Sequence, residues 1–310
     1  LGDLGFEFAK HLLQEGAGNV VLIGRRKLNE KIQNKLEPFN EKKKRLYYFS
    51  VDIANAGSLR DFAEKLEKED LSPHGILHSA GLLGDSLFQN QSNEDFRAVI
   101  EPKVAGTLNL YKSFKSNGLE FMHLFSSAAA LLGNVGQSNY SAANAFLDFF
   151  AREYSGKDGI KIISFNWGPW DEVGMAHRLS DQVKDLYRKQ EIELIGLKKG
   201  IGLWQKLALT EESQVLIFKG SWQKLSVLSA SKENLFTELI KQHQKSEKTG
   251  KNQQASLISQ IEFFSGFSDL SSEDKRARLG LFLRSELAAI FDLDPNDSID
   301  EEMDFAELGI

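Results

Sequence analysis

The chain has 310 residues, 41% hydrophobic and 26% charged, enough apolar material to bury a sizeable core in one large domain or two unequal ones. A formal charge of -6 argues against a general attraction to nucleic acid or to anionic membrane, both of which favour a basic face. The absence of cysteine excludes a disulfide framework and a thiolate metal site and suits a reducing, cytoplasmic compartment; no apolar run nears the roughly 20 residues of a membrane-spanning helix, and no signal peptide is visible.

In chain order, "LGDLG" at the start matches the last two glycines of a G-x-G-x-x-G phosphate turn, with Gly2, Leu4 and Gly5 in place and the first glycine expected ahead of Leu1. Such a turn needs glycine so that backbone can approach a pyrophosphate lying on a helix N-terminus. "NVVLIG" (19–24) then predicts a strand, followed by Arg25 and Arg26. A dinucleotide fold places at that point the group that reads the adenosine ribose. An acid there would bind a 2′-hydroxyl, whereas arginine pairs with a 2′-phosphate, which favours NADPH; two merely exposed arginines are the plain alternative. The run "KKKR" (42–45) reads as a solvated loop before the next strand.

Further strands are predicted at "RLYYFSVD" (45–52), "GILHSAG" (75–81), "FMHLFSS" (121–127), "IKIISFNWG" (160–168) and "QVLIF" (214–218), with helical apolar spacing in intervening stretches such as "SLRDFAEKLEKE" and "VAGTLNLYKSF". That rhythm predicts a doubly wound α/β parallel sheet, with ligands beyond the carboxyl ends of its strands. Strand-ending residues are therefore candidates. Asp52, beside Ile53, is placed to accept from an adenine amino group, and the small Ser79-Ala80-Gly81 turn lets a cofactor pass close to backbone. Both also serve simply as strand terminators, and His78 reads as a structural histidine.

Beyond about Leu228 the texture changes to a Lys, Gln and Ser-rich stretch expected of a linker or polar helix; "EDKRARLGLFLRSELAAIF" (273–291) regains helical spacing, and every charged residue from Asp292 to Ile310 is acidic.

Taken in order, "LGDLG", "LIGRR", "VDIA", "HSAG", "EPKVAGTLNL", "LFSSAAALLGNVGQSNYSAANAFLD" and "NWGPWDEVGMA" resemble the ketoreductase domain of modular polyketide synthases over residues 1 to about 228. The resemblance implies a Rossmann-like fold of the short-chain dehydrogenase/reductase type, NADPH as cofactor, and reduction of a β-ketoacyl thioester tethered to an acyl carrier protein. It implies a cofactor site of Gly2, Leu4, Gly5, Arg25, Arg26, Asp52, Ile53, Ser79, Ala80, Gly81 and Pro169, the last in a turn that holds the nicotinamide carboxamide.

The resemblance also resolves an oddity at "SNYSAANAFLD". One turn after Tyr140, where short-chain reductases usually carry lysine, stands Asn144. In this family the two exchange places, and Lys103 of "EPKVAGT" is the implied partner from another helix. A phenol with a pKa near 10 needs a nearby positive charge to give up its proton, and only the final position of that charge matters. The implied roles are Tyr140 as proton donor, Ser127 as hydrogen-bond donor to the substrate carbonyl, Lys103 as the stabilising charge and Asn144 as the group holding lysine or a relay water. Ser126 is assigned to structure.

Leu83-Gly84-Asp85 stands where one stereochemical class carries L-D-D, keeping the last aspartate and losing the middle one; with Leu132 where the other class carries tryptophan, the reading leans to the L-D-D class. Leu83, Asp85 and Met175 of the lid-like "EVGMA" are the implied substrate contacts.

"DFAELGI" at the end is similar to the first part of an acyl carrier protein, whose phosphopantetheine serine would follow Ile310. The expected layout is ketoreductase at 1–228 lacking its first strand, a linker at 229–272 and a small partial helical carrier segment at 273–310, a fragment truncated at both ends. Its partners would be the carrier-bound acyl chain and other synthase domains, with no metal, nucleic acid or membrane insertion. A freestanding short-chain dehydrogenase and a catalytically silent structural domain are the alternatives.

Overall fold

The computed structural model describes residues 2–40, 46–171, 187–189, 191–220 and 270–291. The chain divides into two compact units, Leu1–Lys241 and Gln242–Ile310. The first unit opens with helix α1 (Asp3–Gln14), which turns Phe6, Phe8 and Ala9 inward, and strand β1 (Val20–Gly24). Helix α2 (Glu30–Asn40) leads to β2 (Leu46–Ser50).

Helix α3 (Ala56–Lys68) is started by Asn55, whose side chain accepts from the Ser58 amide, and its buried Leu59, Phe62, Ala63 and Leu66 repeat at the spacing of one helical face. Strand β3 (Gly75–His78) precedes the long α4 (Asn93–Phe114), capped in the same way by Ser92 onto the Asp95 amide. Strand β4 (Phe121–Ser127) is followed by the short α5 (Ala129–Leu132) and then by α6 (Ser138–Tyr154). Strand β5 (Lys161–Trp167), helix α7 (Leu197–Leu207) and strand β6 (Gln214–Ile217) complete the described part of this unit.

All strand pairings are parallel, β1 with β2 and β3-β4-β5-β6 in that order. Strands β4 and β5 run in register over seven residues, Phe121↔Lys161 to Ser127↔Trp167. Their interiors are buried on both faces, as parallel strands covered by helices must be. One core, built on Leu59, Leu110, Met122, Leu147, Phe150 and Ile162, lies between the sheet and α3, α4 and α6; the other, with Phe8, Phe165, Trp170 and Trp204, lies on the face covered by α1 and α7.

Helices on both sides of a parallel sheet are what the alternating pattern predicts, and each of the six expected strands is present. The sheet is divided, however: β1 and β3 do not pair, and an apolar cavity of about 1430 Å³ runs between Val21–Ile23 on one side and Ile76–Leu77 on the other. In the second unit, α8 (Ser272–Phe291) starts at Ser271, whose hydroxyl accepts from the Asp274 amide at 3.1 Å. The helical spacing of residues 273–291 is thus a helix. Among the described residues no helix is long and apolar enough to cross a membrane.

Candidate active site

The carboxyl ends of β3 and β4 and the first turns of α1 and α6 open onto the same cavity. Of the residues singled out from sequence, all line it except Asp85, Asn144 and Met175; Met175 lies outside the described residues, as do the "KKKR" run and the acidic C-terminal segment.

Tyr140 enters from the first turn of α6 and is 9% exposed. Burial pushes its pKa up, hydrogen bonding from Ser127 and Asn144 pulls it down, and Asp85 and Tyr187 raise it further. The phenol is therefore protonated at neutral pH and available as an acid. Asn139 fixes its position, accepting from the Tyr140 amide at 2.7 Å and donating to the Gly84 carbonyl at 2.9 Å. A Cβ at position 84, where the resemblance expects aspartate, would stand 3.0 Å from Val99 Cγ2. Asp85 is held from the same side, its Oδ2 accepting from Gln137 Nε2 at 2.9 Å.

Lys103 arrives from α4 and is 3% exposed, its Nζ donating to the Phe125 carbonyl at 2.9 Å. Burial lowers its pKa to about 8, and Asp148 acts against that fall. The turn after β3 makes room for it, since a Cβ at Gly81 would stand 3.1 Å from Lys103 Cε. Ser127 ends β4 with its Oγ accepting from the Ala129 amide at 3.2 Å. The neighbouring Ser126 is buried and donates to the Asn144 carbonyl at 3.2 Å, the structural part expected of it.

Asn144 is fully buried. Its Nδ2 donates to the Tyr140 carbonyl at 2.8 Å and its Oδ1 has no partner. Among the described residues Lys103 and Asn144 are not hydrogen-bonded to each other. The unpartnered Oδ1 is what a relay water would satisfy.

At the other end, α1 has Gly2 at its N-cap with no side-chain cap, leaving the orphan amides of its first turn to a ligand. Gly5 brings this helix against the β3 turn, because a Cβ there would lie 2.9 Å from Ser79 Oγ. Arg25 and Arg26 follow β1, exposed and outside any described ion pair, while their carbonyls accept from Ser50 and Tyr48. Asp52 lies two residues beyond β2 and accepts from the Ala54 amide at 3.0 Å. An uncapped helix start, close glycine contacts and two guanidiniums along one cavity fit a dinucleotide with its pyrophosphate at the start of α1.

Sequence reasoning missed Asn139, Asp148, Ser164, Asn166 and Tyr187. Asp148 did leave a signal: Tyr140, Asn144 and Asp148 recur every four residues along α6 and so share a face with buried Leu147 and Ala151.

The model of the KR domain matches residues 1–172. The chain belongs to the ketoreductase (KR) domain family. This KR domain is 33% identical over 236 residues to polyketide synthase PksN of Bacillus subtilis (strain 168), a match that covers 72% of the chain and 4% of that protein. Among solved structures it superposes on a ketoreductase domain from the bacillaene assembly line with a TM-score of 0.67 and 31% identity, over 73% of this chain and 55% of the other. A short-chain dehydrogenase from Streptomyces avermitilis, 16% identical, shares the fold with a TM-score of 0.60 over 81% of this chain and 95% of its own. The Rossmann-like α/β fold is thereby established for this KR domain, and that fold implies a nicotinamide cofactor.

Proposed function

We propose that this KR domain uses NADPH to reduce a β-ketoacyl thioester, carried on the phosphopantetheine arm of an acyl carrier protein, to the β-hydroxyacyl thioester. The observation that carries the reading is the convergence of Tyr140, Ser127 and Lys103 from α6, β4 and α4 onto the cavity that also receives the α1 N-terminus and Arg25 and Arg26.

When bound, the nicotinamide supplies the hydride. The chain's own residues handle the oxygen: Ser127 donates a hydrogen bond to the ketone, which strengthens as negative charge develops there, and Tyr140 delivers the proton. The Lys103 ammonium steadies the resulting phenolate, with a water on Asn144 Oδ1 as the link between them. The first turn of α1 holds the pyrophosphate, the Ser79-Ala80-Gly81 turn lets the cofactor pass, Asp52 and Ile53 border the adenine, and Pro169 shapes the carboxamide turn. Arg25 and Arg26 pair with the 2′-phosphate, which is what distinguishes NADPH. Leu83 and Asp85 flank the acyl chain.

The same reading assigns the space between β1 and β3 to a further parallel strand ending in the first glycine of the phosphate turn. It assigns 229–272 to a linker and 273–310 to the beginning of a carrier domain, within a cytoplasmic multidomain synthase whose other domains are the partners.

The test follows NADPH absorbance with a short β-ketoacyl thioester, in a chain extended at the N-terminus by that strand. Tyr140→Phe should lose roughly 10²- to 10⁴-fold in rate, the usual span of general acid catalysis, with NADPH binding unchanged. A folded, NADPH-binding parent without turnover, or a variant that matches it, would overturn the reading in favour of a silent structural domain.

A further inference from the structure

Behind the tyrosine lies a carboxylate that the proton-transfer chemistry leaves unused. Asp148 sits on α6, one turn beyond Asn144 and two beyond Tyr140, and is 7% exposed. Ser164 Oγ donates to its Oδ1 at 2.6 Å and Asn166 Nδ2 to its Oδ2 at 2.8 Å, both from β5. The same Asn166 Nδ2 lies 3.1 Å from Ser126 Oγ and 3.2 Å from the Ser127 carbonyl, while its Oδ1 accepts from Gln214 Nε2 of β6 at 3.0 Å. Ser126 in turn reaches the Asn144 carbonyl. Hydrogen bonds thus run from one buried carboxylate to the main chain of two site residues.

A buried ammonium completes the arrangement. Lys103 enters no direct ion pair among the described residues, and Asp148 is the carboxylate whose field acts on it. Two buried opposite charges that do not touch are an expensive way to hold a core together, and well-packed apolar side chains would serve stability better. Their retention beside a cavity is the pattern of a site that needs its charges.

We propose that Asp148 is a positioning residue of the reduction site: through Asn166 it fixes the Ser126–Ser127 main chain and Asn144, and its negative charge is the distant counter-ion of the Lys103 ammonium. The proposal rests on the reading of Tyr140 and Lys103 as the pair that handles the proton. Among the described residues the groups around Lys103 are few. His78 faces it from β3, but burial and the Lys103 charge hold that imidazole down to about 3, so it is neutral wherever the enzyme would work. Asp148 acts on it from α6, where Tyr140 lines the same cavity and is itself acted on by Asp85 and Tyr187. Strands β4 and β5 contribute the Phe125 carbonyl and the uncharged Ser126, Ser127, Ser164 and Asn166. With His78 neutral, Asp148 is what opposes the burial that pulls Lys103 down to about 8.

Asp148→Asn, nearly the same shape without the charge, separates this role from scaffolding. The Lys103 titration would be followed by NMR of lysine labelled at Cε and Nζ, alongside the pH profile of kcat/KM for the ketoacyl thioester. In the parent the Lys103 midpoint should lie near 8. In the variant it should fall by about one pH unit, the size of a moderate charge interaction, and the alkaline limb of kcat/KM should fall with it while NADPH affinity holds. A variant that loses rate or melting temperature but leaves midpoint and limb in place makes Asp148 a scaffold residue and overturns the proposal. A moved midpoint in a parent that reduces nothing keeps the charge coupling and sinks the reduction reading instead. Should the variant not fold, the parent decides: its Lys103 signal must show a second, smaller step where Asp148 titrates, and a single-step curve overturns the coupling.

Discussion

Arg25 and Arg26 show what one residue type at one place is worth. A guanidinium meets a phosphate through two parallel charge-assisted hydrogen bonds, each about 1.5–3 kcal/mol net, so a 2′-phosphate between two arginines gains far more than a 2′-hydroxyl would. Replacing both with alanine should weaken NADPH binding by roughly 10- to 100-fold and leave NADH binding within about twofold, measured by fluorescence titration of each cofactor. Equal losses for both cofactors would show that the arginines act on fold or general field. That these arginines and Tyr140 line one cavity could be anticipated from their places after a strand and at a helix start, whereas Lys103, midway along α4, was reached only through the family resemblance. Asp148 left only its four-residue spacing from Asn144 as a signal, since a lone acid in a helix usually faces water; its burial is settled by Ser164 and Asn166, sixteen and eighteen residues further on in another strand.

Among the elements, strands were the most legible, because parallel strands buried on both faces must be written as unbroken apolar runs, and "FMHLFSS" coincides with β4 residue for residue. Ends were less so: β3 stops at His78, and Ser79-Ala80-Gly81, which reads as the tail of a strand, is the turn that lets Lys103 through. Helix α7 was illegible in its role, since what fixes it is long-range. Its Trp204 donates to His123 Nδ1 at 3.2 Å across 81 residues, and its Gly200 leaves room for the Trp170 ring. A Cβ on Gly200 would come within 2.3 Å of that ring, itself wedged against Phe8 and Trp167. Gly200→Ala should therefore cost about 1–3 kcal/mol through overpacking, despite the better helix propensity of alanine, and urea unfolding should show the midpoint falling. A midpoint that rises would mean that Trp170 yields freely.

At the scale of the whole molecule, two buried imidazoles tie stability to pH. Burial, reinforced by Lys103, takes His78 down to about 3; burial, reinforced by Lys161, takes His123 down to about 4, both from an ordinary 6.5. The fold holds them neutral, so between about pH 4 and 6.5 the unfolded chain binds the protons that the folded one refuses. Stability is then complete above about pH 6.5 and drains as pH falls, at up to roughly 1.4 kcal/mol per pH unit for each histidine. By pH 5 the two together remove about 4 kcal/mol, a large part of the 5–15 kcal/mol that a domain usually has. Asp148 works in the opposite sense, since burial raises its pKa and protonation relieves the fold, but it is one group against two. Melting temperature should accordingly be flat from pH 7 to 8 and fall steeply below 6. His123→Gln, which keeps an acceptor for the Trp204 indole and cannot titrate, should lose about half of that slope. An unchanged slope would place the acid sensitivity in other groups and leave the His123–Trp204 contact as packing alone.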